Sequence, residues 1–105
     1  MNDVSTLMNK KNQYMNCYNR EKIVQSALTK AIEGLNAVLE NETKAYQIDE
    51  TIPTGSYIGD LLESEKEIYT NISNVVIPTT INLINATTNK IKEAVISESL
   101  DIEIV

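Results

Sequence analysis

The chain has 105 residues, a net charge of −6, 42% hydrophobic residues, three glycines, two prolines and one cysteine. That length corresponds to one domain by the usual prior, and a lone cysteine, Cys17, excludes an intrachain disulfide. Residues 1–34 hold five basic and three acidic side chains and residues 35–105 four and twelve, a balance that argues against nucleic acid or an anionic membrane surface, because phosphate binding takes clustered Lys and Arg.

Residues 1–6 read as a lead-in in which Asp3 and Ser5 are both candidate N-caps, since either side chain accepts from free amides of a first helical turn. A first helix is expected over about 7–46. Three adjacent heptad rows run along it: Leu7, Tyr14, Glu21, Leu28, Leu35, Glu42; then Cys17, Val24, Ala31, Val38, Ala45; then Tyr18, Gln25, Ile32, Leu39, Tyr46. Together they make an apolar face wider than a two-helix seam. Gly34 falls inside this helix, either to admit a neighbouring helix closely or as a tolerated surface glycine.

A connection is expected over about 47–56. Pro53 lacks an amide proton and disfavours helix at Ile52, Gly55 suits a left-handed turn, and Ser56 suits an N-cap. A second helix is expected over about 57–96, with Asp60, Glu63, Glu65 and Glu67 near its positive end. Its apolar rows are Ile58, Leu61, Leu62, Ile68, Tyr69, Ile72, Val75 and Val76, shifting past Pro78 to Ile81, Ile84, Ile91 and Val95. An interior proline predicts a kink near Val75–Thr79; the alternative is a stop followed by a short third helix capped by Thr79 or Thr80. The tail from Ser97 to Val105 is expected to fray.

The fold class that follows is all-α, an antiparallel two-helix hairpin forming one domain over residues 1–105. A helix of about 40 residues is ~60 Å long, and two such helices hide only the face each turns to the other. The remaining Leu, Ile and Val predict an interface, with a second hairpin completing a four-helix bundle.

Chemistry is thin. There is no histidine, the commonest general base and neutral metal ligand. No glycine precedes a Lys-Ser/Thr pair, so there is no phosphate loop. Glu63 and Glu67 share a helix face, but a bridged metal would need further ligands from other helices; a solvated acidic face accounts for them. The five tyrosines are scattered without basic neighbours in the acidic half, unlike a base-stacking platform. The expectation is no catalytic residue, no metal and no cofactor. Met1 to Lys11 has no apolar core of a secretory leader, and no run reaches the ~20 apolar residues of a membrane span. The triplets beginning at Asn41, Asn71 and Asn85 are read as chance matches to a glycosylation pattern.

About 100 residues built as two long helices around a turn with a central glycine resemble the small ESX or WXG-like proteins of type VII secretion, and more closely the helical partners encoded beside LXG toxins in Gram-positive bacteria. The family's Trp-x-Gly turn reads Pro53-Thr54-Gly55 here, with glycine kept and tryptophan absent. The family's Tyr-x-x-x-Asp/Glu export signal after the second helix has no counterpart, since no tyrosine follows Tyr69; Tyr46 and Glu50 have that spacing before the turn, and Tyr57 and Asp60 are one residue short of it. The resemblance implies a chaperone-like adaptor, cytoplasmic before a signal-peptide-independent export, that binds the helical N-terminal region of a larger effector whose signal serves both. Packing would be helix against helix, as a hetero- or homodimer, through Leu28, Ile32, Leu35 and Leu39 of the first helix and Ile68, Ile72, Val75 and Val76 of the second. The competing readings are a self-assembling structural protein, such as a phage or filament component, and a small regulator binding a metal or nucleotide on its acidic face.

Overall fold

The computed structural model describes residues 3–50 and 56–104, and the side chains of 3–50 and 57–98. Every element among them is helical. Helix α1 spans Val4–Ile48, α2 spans Ser56–Asn71, a π turn spans Ile72–Val76, and α3 spans Ile77–Ile104. The class is all-α, as the heptad rows predict. Ser56 is the first residue of α2, while Pro53 and Gly55 of the expected turn lie outside the described residues.

The start of α1 shows why the helix begins there. Asp3 Oδ1 accepts from the Thr6 amide at 2.7 Å, and the Asp3 carbonyl accepts the first helical bond from Leu7 at 3.1 Å. Asp3 is therefore the cap, and Ser5 lies inside the first turn. At the other end the Asp49 amide still reaches the Ala45 carbonyl at 2.9 Å.

Pro78 does not stop the second helical stretch. Its ring supplies no amide to the carbonyl one turn back and crowds that carbonyl. The backbone answers with the five-residue π turn immediately upstream, and α3 then runs on through Pro78. A π turn holds one residue more than an α turn, and the covered positions show it. Leu62 and Tyr69 are seven apart, and continuing that step predicts residues 76, 83 and 90. Beyond Val76 the covered positions are instead Ile84 and Ile91, one residue later, with Leu83 and Lys90 exposed. The phase change visible in the sequence past Pro78 is thus the inserted residue of the π turn. The expected end near residue 96 is corrected: the helix continues to Ile104, because no Gly or Pro stands between Pro78 and the end of α3 to break it.

The chain divides into two compact units. One joins α1 up to Lys22 with the chain from Val76 onward; the other is Ile23–Val75. In the second, the connection between Ile48 and Ser56 spans at most ~29 Å when extended. The stretch of α1 from Ile23 to Ile48 is ~39 Å long. A parallel return is therefore out of reach, and α2 runs antiparallel to α1. In the first unit, Thr80 near the start of α3 bonds Glu21, and Leu7, four turns before Glu21, is also buried. The two helices therefore lead away from that bond in the same direction, which again makes them antiparallel.

The Thr6 amide, followed by the Thr6 hydroxyl, holds the Asp3 carboxyl below its ordinary value. A depressed folded value means that this cap stabilises the helix above the unfolded-state value and is lost as pH falls through the folded one. Protection of the Thr6 amide from hydrogen exchange should therefore drop at the acid end of the titration. Asp3→Asn, which caps without titrating, should abolish that drop while keeping protection near neutrality.

Candidate helix-packing interface

Along α1 from Leu7 to Glu42 the covered residues are Leu7, Lys11, Tyr14, Tyr18, Glu21, Gln25, Leu28, Ile32, Leu35, Leu39 and Glu42. The steps alternate between three and four, the 3.5-residue repeat of a coiled-coil seam. Two of the three rows read from the sequence form this seam. The third stays out of it: Cys17, Val24, Ala31 and Val38 are exposed, and only Ala45 is half-buried.

The seam is shallow and polar in places. Among the described residues the buried hydrophobic side chains are Leu7, Ile58, Leu62 and Ile77, and none is fully enclosed. Threonine fills positions where a larger apolar residue would be usual. Thr80 and Thr87 are buried, and each returns its hydroxyl to the carbonyl four residues back, at 3.1 Å from Thr80 to Val76 and 2.7 Å from Thr87 to Leu83. That bond lets a hydroxyl enter a seam without losing a partner. Within the first unit the Thr80 proton is shared with Glu21 Oε1, 2.7 Å away. Within the second, Gln25 Nε2 donates to Ser73 Oγ at 2.9 Å. Glu21 Oε2 and Glu42 Oε2 are buried with no hydrogen-bond partner.

The Gln25–Ser73 bond sets the register of the Ile23–Val75 unit. Counting in opposite directions from it brings Val24 level with Val75, Ala31 with Ile68 and Val38 with Leu61, each to within a residue. Val24, Ala31 and Val38 each precede a seam residue of α1 by one, and Leu61, Ile68 and Val75 each precede one on the other strand of the pair. In an antiparallel pair these two rows border the same edge of the seam. They form one strip two helices wide, with exposures of 44%, 43%, 45%, 48% and 54% for Val24, Val38, Leu61, Ile68 and Val75. The opposite edge carries Thr29, Asn36 and Thr43 against Gly59, Lys66 and Ser73. This unit is therefore greasy along one edge and polar along the other.

Of the residues expected to bind a partner, Leu28, Ile32, Leu35 and Leu39 lie on the covered seam and are half-buried, as are Ile72 and Val76. Ile68 and Val75 lie on the exposed strip. The strip's other members, Val24, Ala31, Val38 and Leu61, stand in the same heptad rows but take on meaning only once the bond register shows which rows share an edge. Among the described residues no group of three or more His, Cys, Asp or Glu is placed to hold a metal ion. A shallow groove bounded by Asn36, Leu39, Glu40, Thr43, Lys44 and Gln47 belongs to α1 alone. Among the described residues no helix is long and apolar enough to cross a membrane.

Comparison with known proteins adds no relative: no family model matches the chain, and no curated protein or solved structure is significantly similar to it.

Glu42 occupies the seam row of Leu28 and Leu35 with one oxygen buried and unbonded. Glu42→Leu removes that loss and continues the apolar row. Stability to urea should rise by about 1–2 kcal/mol, read as a higher midpoint at unchanged slope.

Proposed function

We propose that this chain is a helical adaptor that packs against the helical N-terminal region of a larger secreted effector of the LXG type and promotes its type VII export. The observation that supports the reading is the one-sided apolar strip on the Ile23–Val75 unit. Its half-exposed Val, Leu and Ile side chains forgo roughly 1 kcal/mol each. Five of them forgo an amount comparable with the lower end of a domain's whole stability. An adaptor loses this burial when free and gains it on binding, so the loss becomes affinity. The class of partner comes from the resemblance of the sequence to type VII hairpin proteins. On this reading the chain contributes binding and no catalytic step, and it resides in the cytoplasm until its effector is exported.

The test is coexpression of the full chain with the N-terminal helical region of an LXG-type effector encoded beside it. A soluble stoichiometric complex is expected, in which apolar-dye fluorescence is lower than for the free chain. Val38→Glu should lower the affinity at least ~30-fold, because it places a charge in a desolvated contact, while circular dichroism stays unchanged. No complex, or one indifferent to Val38→Glu, would refute the assignment. Open-ended homo-oligomers that exclude the effector would favour a self-assembling structural role instead.

A further inference from the structure

We infer that the unit formed by α1 up to Lys22 and the chain from Val76 onward docks an acidic amphipathic helix of another protein. Arg20 would hold it at one level and the pair Lys10 and Lys90 at another, with Cys17, Leu83 and Ala86 between. This surface and the apolar strip lie in different units, and its test uses no effector, so the inference goes beyond the adaptor reading and stands or falls apart from it.

The Glu21–Thr80 bond sets the register of this unit. Counting in opposite directions from it brings Cys17 level with Ile84 and Lys10 level with Ile91. Lys10, Cys17 and Arg20 each precede a covered residue of α1 by one, and Leu83, Ala86 and Lys90 each precede one of α3. In this antiparallel pair the six therefore border one edge, and all six are exposed. Lys10 and Lys90 fall at the same level. Arg20 stands ~15 Å from Lys10 along α1. Leu83, 42% exposed, lies between the two basic levels with Cys17 and Ala86.

These cations lack counter-charges. No acid stands between Val4 and Arg20 or between Ile77 and Lys92. Glu93 is one turn beyond Lys90, yet among the described residues no ion pair joins Lys10, Arg20 or Lys90 to an acid. Lys11, half-buried in the seam, adds a further charge at the level of Lys10. Like charges brought to one level repel, and a bound carboxylate turns that repulsion into attraction. The count along the sequence hides this edge, because Lys90 belongs to the acidic half of the chain and reaches Lys10 only through the fold. The acidic excess sits in the other unit, Ile23–Val75, with nine acids against three bases.

Spacing selects a helix as the occupant. Three α-helical turns take about 11 residues and ~16 Å, close to the separation of the two basic levels. Carboxylates at i and i+11 of one helix face therefore reach both, and apolar side chains at i+4 and i+7 lie on Leu83 and Cys17 between them. That pattern reads the same in either direction, so it serves a parallel or an antiparallel partner. Duplex nucleic acid carries a charge about every 1.7 Å of its axis and would meet uncharged apolar surface between the two levels. An anionic bilayer would meet the same gap.

Fluorescence anisotropy on the full chain tests this. The probe is a labelled alanine-rich helical peptide of about six turns, with glutamate at i and i+11 and leucine at i+4 and i+7. Saturable one-to-one binding is expected at low salt, weakening as salt rises. Lys10→Glu, Arg20→Glu and Lys90→Glu should each weaken it ~10-fold, and Leu83→Gln ~5-fold. All four side chains are exposed, so circular dichroism of the variants should match the wild type. The triple charge variant should lose the glutamate peptide and bind one with lysine in place of both glutamates. No saturable binding, indifference to the charge variants or to Leu83→Gln, or failure of the exchanged pair would overturn the inference. A DNA duplex and anionic phospholipid vesicles are titrated in parallel. Tighter binding of either, with the same dependence on Lys10 and Lys90, would overturn the assignment of a helix.

Discussion

A two-helix seam buries one narrow stripe per helix, and this chain carries more apolar residue than one stripe holds. The rest of the structure depends on that geometric limit. Positions alternating three and four apart along α1 meet the other half of the chain. The row beside them, Val24, Ala31 and Val38, has no place in the seam of its own pair. On the returning helix Leu61, Ile68 and Val75 stand in the same relation to their seam. The antiparallel sense of the pair puts the two leftover rows on one edge, so excess that would be scattered on separate helices becomes a continuous strip. The polar opposite edge gives the strip a direction: the apolar excess lies along one edge of the pair and is not spread around it.

The seam itself is modest. Glu21, Gln25, Ser73 and Thr80 occupy it with hydrogen bonds at 2.7–2.9 Å, and buried Thr87 satisfies its own backbone. Such polar pairs add about 1 kcal/mol or less each, but a pair one turn out of step would leave them unmatched. They favour one alignment of the helices over its neighbours. That alignment sets the levels of Ala31 and Ile68, and so decides whether the strip is continuous. The π turn acts in the same sense. One extra residue before Pro78 answers the missing amide of the ring and moves the covered face of α3 by one position, keeping Ile84 and Ile91 covered.

Much of this was legible in the residues. The heptad rows predict the long helices because their repeat is set by the helix itself and not by anything distant. Asp3 was one of two plausible caps, and choosing between them took the Thr6 amide. Pro78 announced a disturbance, but whether it would appear as a stop or a bulge depended on whether covered positions resumed beyond it, which is a matter of packing. The residues of the candidate interface were the least legible. Leu28, Ile32, Leu35 and Leu39 are large aliphatic residues and attract attention first, yet they lie on the covered seam of the pair. Val24, Ala31 and Val38 were read as one of three rows of a wide apolar face, and only the Gln25–Ser73 register sets them beside Leu61 and Ile68. Burial follows neighbours, and a single sequence does not state which of two adjacent rows a helix turns inward.

The proposed adaptor role requires the Val24–Val38 edge of the Ile23–Val75 unit to be covered when a partner helix is bound. Methyl NMR with a soluble paramagnetic agent reads this directly. The methyls of Val24, Val38, Leu61 and Ile68 should be accessible in the free chain and shielded when the effector segment is bound, while the methyls of Thr29 and Thr43 on the opposite edge stay accessible in both states. Equal accessibility on the two edges, unchanged by the effector segment, would contradict it.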